Sequence, residues 1–232
     1  MPASSTAALR SLLEQRFPGT TPVVHHTAGA LATGIGALDA AFPGGGLPRG
    51  RLVAWAPGGG ATAALRSACS AAVQRGERAA WVDGAGVVCG AAWAEGVALF
   101  RPPAERIALE CAEELVRSGG FSLVVLSGVD TGEPQRVRLS RAAREGGGTL
   151  ALLEAGGFMA SVRVSTRIRA ADYRWRPDPF GAPAEVERVT VRASVTALGW
   201  SREAEFSLAV APYELRLSVE PALADRRGAA AR

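Results

Sequence analysis

RLVAWAPGGGATAAL, residues 51–65, is the stretch that decides the fold. Arg51 to Ala56 is an apolar run of strand formers, Pro57 to Gly60 allows only a tight turn, and Thr62 to Val73 has the spacing of a helix. Strand, glycine turn and helix in that order outline a phosphate-binding loop. The chemistry of such a loop needs GxxxxGK[ST], in which backbone N–H groups wrap the phosphates, a lysine reaches the outer ones and a hydroxyl holds magnesium. In the ungapped register Ala56 and Ala61 occupy the glycine positions, Thr62 the lysine and Ala63 the hydroxyl. A one-residue gap restores Gly60 as the second glycine and Thr62 as the hydroxyl, but leaves Ala61 in place of the lysine. Neither register supplies a cation, and all 26 basic residues of the chain are arginine. The segment Ala56, Pro57, Gly58, Gly59, Gly60, Ala61, Thr62, Ala63 is a degenerate phosphate loop, and no cofactor is expected in it.

Around this loop strands and helices alternate. A helix is expected over Thr33 to Phe42, a strand over Ala79 to Asp83, and an amphipathic helix over Pro103 to Ser118 with proline at its start. Residues 91–100 are compatible with a short helix and a strand. Phe121 to Leu126 and Thr149 to Leu153 have the composition of buried strands, with a helix over Gln135 to Glu145 between them. Such alternation implies a parallel sheet with helices on both faces. After residue 158 the period becomes two: Val162, Val164, Thr166 and Ile168 face one way, and Arg163, Ser165, Arg167 and Arg169 the other. Antiparallel strands are expected there, over Val186 to Leu198 and Ala204 to Ala211 around a turn at residues 199–202, with a further strand over Tyr213 to Val219.

The chain divides into an N-terminal helix and tether (1–30), an α/β core (31–220) and a tail (221–232) of small residues and arginines, for which disorder is expected. In the N-terminal helix Leu9, Leu12, Leu13 and Phe17 form one apolar stripe, which requires a partner surface either on its own domain or on a neighbouring molecule. At 232 residues one full core is accommodated, without a second large domain. No window approaches a membrane-spanning run, and the N-terminus lacks the basic start and apolar block of a secretory signal, so a cytoplasmic protein is expected. Cys69, Cys89 and Cys111 lie far apart among apolar neighbours, which fits reduced core thiols, and His25 and His26 have no ligating partner nearby. No metal site is expected. A net charge of +4 permits contact with nucleic acid without requiring it.

Three segments carry a resemblance to the RecA recombinase family that covers nearly the whole chain. LATGIGALDAAFPGGGLPRGRLV (31–53) resembles the approach of RecA proteins to their ATP site, ASVRVSTRI (160–168) the strand after their second DNA-binding loop, and EAEFSLAV (203–210) the last strand of their core. The N-terminal helix ending in Arg16 and Phe17 is similar to the helix by which one RecA protomer docks on the next. The resemblance implies a RecA-like core with a docking helix, and it also implies what has been lost. The water-activating glutamate after AAWVD falls on Ala85, and the metal-orienting aspartate after FSLVVL falls on Ser127, with Asp130 three residues on. The two DNA-binding loops shrink to Gly128–Pro134 and to the residues Ala155, Gly156, Gly157 and Phe158. Losing one charge-assisted contact weakens binding by about ten- to a hundredfold, and hydrolysis also needs the metal and the water-positioning group.

A RecA scaffold that keeps the docking helix and loses the catalytic groups is most similar to the ImuA family, accessory proteins of mutagenic translesion synthesis in the SOS response. That resemblance implies a non-enzymatic adaptor in DNA-damage tolerance, with RecA, ImuB and an error-prone polymerase as partners and no membrane. SulA-like division inhibitors share part of the scaffold. Direct DNA binding is the alternative, through Arg136, Arg138, Arg141 and Arg144 on one helix and Arg163, Arg167 and Arg169 on one strand. The four helix arginines do not share one narrow face, so a solvated surface with acidic partners such as Glu145 or Glu187 explains them as well. A weak ATPase, or a phosphate held only by the N–H groups of Gly58 to Gly60, ranks last.

Overall fold

A computed structural model describes residues 29–88, 96–154 and 160–209. Its parallel half is built from β1 (Leu52–Trp55), β2 (Ala79–Asp83), β3 (Ala98–Phe100), β4 (Leu123–Ser127) and β5 (Thr149–Leu153). The helices are α1 (Gly36–Ala41), α2 (Ala61–Gln74), α3 (Glu105–Arg117) and α4 (Glu133–Gly146). β6 (Val162–Arg167), β7 (Tyr173–Pro177), β8 (Pro183–Ala197) and β9 (Trp200–Ala209) complete one nine-stranded sheet of order β3-β2-β4-β5-β1-β6-β8-β7, with β9 also on β8. β3 to β6 in that order pair in parallel, and β8 pairs antiparallel with β6, β7 and β9. The protein is therefore α/β, with a mostly parallel sheet flanked by helices and an antiparallel C-terminal part.

β1 lies at the centre, between β5 and β6, and all four of its residues are buried, as a strand covered on both faces requires. On one face Val53, Trp55, Trp81, Val125 and Val164 pack against α1 and α2. Alanine dominates the buried side of α2, at positions 61, 64, 68, 71 and 72, so the helix can approach the sheet closely. The fully buried indoles of Trp55 and Trp81 occupy the same core. On the other face Leu52, Val82, Val124, Leu126, Leu150 and Leu152 meet Ala108, Ala112 and Val116 of α3 and Leu139, Ala142 and Ala143 of α4. Ahead of β1, Thr33 is buried, and its N–H and hydroxyl both donate to Asp39 of α1, at 2.7 and 2.8 Å. This contact folds the segment 31–41 against the sheet.

Several expectations change, among them the helix expected from Thr33, which begins at Gly36. The helix after the loop begins at Ala61. Strand β7 was not anticipated, because its alternation of Tyr173 and Trp175 with Arg174 and Arg176 is only five residues long and buries none of them. β8 begins at Pro183, three residues ahead of the expected Val186, because it continues past the core to pair with β7. The turn between β8 and β9 is Leu198-Gly199, with Gly199 at φ +81, so Trp200, Ser201 and Arg202 belong to β9. The N-terminal helix with Leu9, Leu12, Leu13 and Phe17, the strand expected over 213–219 and the tail lie outside the described residues.

Cys69 and Cys111 are free thiols; burial pushes Cys69 up to about 12 and raises Cys111 as well, which leaves both protonated and unreactive at neutral pH. Replacing Trp81 by Ala is expected to lower stability by about 3–5 kcal/mol, and replacing the half-exposed Trp175 by Ala to change it by about 0.5 kcal/mol. Urea denaturation of the two variants measures both.

Candidate functional site

The segment between β1 and α2 stands where a parallel α/β sheet places its ligands, at the carboxyl ends of the strands. Here it is laid onto its own sheet. The Ala56 N–H donates to the Val164 carbonyl at 2.8 Å, and the Glu154 N–H to the Trp55 carbonyl at 3.1 Å. Past Pro57 the chain touches β6 and β8 so closely that it has no room for side chains. A Cβ on Gly58 would lie 2.3 Å from the Thr166 carbonyl oxygen, and one on Gly59 would lie 3.1 Å from the Ile168 side chain. Gly60 has φ +90, and a Cβ there would lie 2.8 Å from both methyls of Val191. The three glycines thus satisfy a packing constraint of the sheet.

Beside the loop is an open cleft of about 430 Å³, with Pro57, Thr62 and Ser127 in its wall. Among the described residues its ionisable lining consists of Glu105, Asp130 and Glu154, without an arginine or histidine. Among the described residues a triphosphate in this cleft would meet carboxylates, with the partial positive charge of the α2 N-terminus in its favour. Glu105 accepts the Asp130 N–H at 2.7 Å. Glu154 accepts the Thr131 N–H at 3.0 Å and hydroxyl at 2.6 Å on one oxygen, and Arg136 Nε at 2.8 Å on the other. Its side chain is 3% exposed and that of Arg136 16%, so this is a buried ion pair joining the end of β5 to the start of α4.

The remaining positions singled out in the sequence have structural partners. Ser127 accepts the Trp81 indole N–H at 2.8 Å, inside the core. Ala85 is exposed. Asp83 is fully buried and holds the 84–88 loop by accepting the Val88 N–H at 2.7 Å; its other oxygen has no partner among the described residues. Among the described residues no group of three His, Cys, Asp or Glu is arranged to hold a metal.

The arginines divide into two sets. Arg136 is committed to Glu154, Arg138 to the buried Glu113 at 2.6 Å, and Arg141 to Glu145 at 2.7 Å. Arg117 of α3 also reaches Glu113 and Glu145, so these contacts tie α3 to α4. Hydrogen bonds from Arg141 and Arg117 hold the Glu145 carboxyl below the usual carboxylate range; that contribution to stability is present above the ordinary value and is lost as the pH falls through the folded one. Arg163 is partly buried and engaged. Arg144, Arg167 and Arg169 are exposed and make no side-chain ion pair among the described residues. The Glu154–Thr131–Arg136 cluster was not anticipated. Its only sequence signal was a charged residue directly after the buried run TLALL.

Neither protein-family models nor curated proteins gave a match to this chain. Among the described residues no helix is long and apolar enough to cross a membrane.

If the loop glycines serve the packing of the sheet, Gly58→Ala and Gly60→Ala should each lower stability by about 1–3 kcal/mol in the absence of any nucleotide. Chemical denaturation without added ligand measures this; an unchanged midpoint would show that the loop can move off β6.

Proposed function

We propose that this protein is a non-catalytic, RecA-like adaptor of DNA-damage tolerance, similar to ImuA, that acts through protein surfaces. The observation that carries this reading is the loop of Gly58 to Gly60, packed closely against Thr166, Ile168 and Val191 beside a cleft whose ionisable lining among the described residues is carboxylate. Hydrolysis of a triphosphate requires cations on the phosphates and a positioned water. Ala61, Thr62 and Ala63 supply no cation to this place, and Ser127 is occupied by Trp81. The core beneath the loop remains buried, which fits a fold retained for what it presents.

In this reading RecA is the first partner, engaged by Leu9, Leu12, Leu13 and Phe17 in the groove that one RecA protomer offers the next. ImuB and an error-prone polymerase are the further partners. Calorimetry with Mg-ATP is expected to detect no binding at micromolar concentration, and micromolar affinity with turnover would overturn the reading. Capture of RecA is expected to fall at least tenfold in the Leu12→Asp, Phe17→Asp double variant. Undiminished capture would remove the proposed interface.

A further inference from the structure

We draw no further inference here: the strongest candidate, the cleft of about 430 Å³ beside the Gly58–Gly60 loop with Glu105, Asp130 and Glu154 in its wall, carries nothing because it belongs to the site already described and is an acidic cluster at which no second observation among the described residues points to a ligand.

Discussion

The Thr166 carbonyl of β6 occupies the place that a side chain on Gly58 would need, and the organisation of the site follows from that contact. A loop that wraps a phosphate directs its N–H groups at the ligand. This one is drawn down onto β6 and β8, where Gly59 meets Ile168 and Gly60 meets Val191. The Ala56 to Val164 hydrogen bond extends the pairing of β1 with β6 into the first residue of the turn. Antiparallel β8 backs β6 at the same level through Val191 and Ala193. The junction of the parallel and antiparallel halves of the sheet thus sets the conformation of the loop.

Charge is arranged consistently with that geometry. The cleft beside the loop is lined by carboxylates, and Arg136, the arginine nearest to it in the hydrogen-bond network, is bound to Glu154. Removing either partner of this pair would leave a buried charge uncompensated, at a cost of about 3–5 kcal/mol. Arg136 is therefore a structural cation. Arg138 and Arg141 are likewise held against α3 and the end of α4 by Glu113 and Glu145. Arg144 on α4, and Arg167, Arg169 and Arg188 in the antiparallel half, make no side-chain ion pair among the described residues.

The two halves of the sheet have separate roles. The parallel half is a dense core in which tryptophan and alanine complement one another across α2. In the antiparallel half Tyr173, Trp175, Arg174 and Arg188 are exposed among the described residues.

Much of the architecture was legible in the sequence because burial imposes composition. LVAW, AAWVD, LVVL and TLALL are apolar on both faces, and strands covered on both faces must be. Glycine turns and proline starts marked most of the boundaries, and the absence of lysine and of the loop hydroxyl was a matter of identity alone. The sequence could not show where the loop rests, because the contacts of Gly58, Gly59 and Gly60 join residues more than a hundred positions apart. Nor could it distinguish Arg136, Arg138 and Arg141 from Arg144: all four are arginines on one helix, and only the positions of Glu154, Glu113 and Glu145 decide which cations are taken. β7 escaped notice because its alternation of Tyr173 and Trp175 with Arg174 and Arg176 spans only five residues and buries none of them. Identity and periodicity are local properties and are written in the chain; clearance, ion pairing and the register that sets Arg174 against Arg188 arise only when distant strands meet.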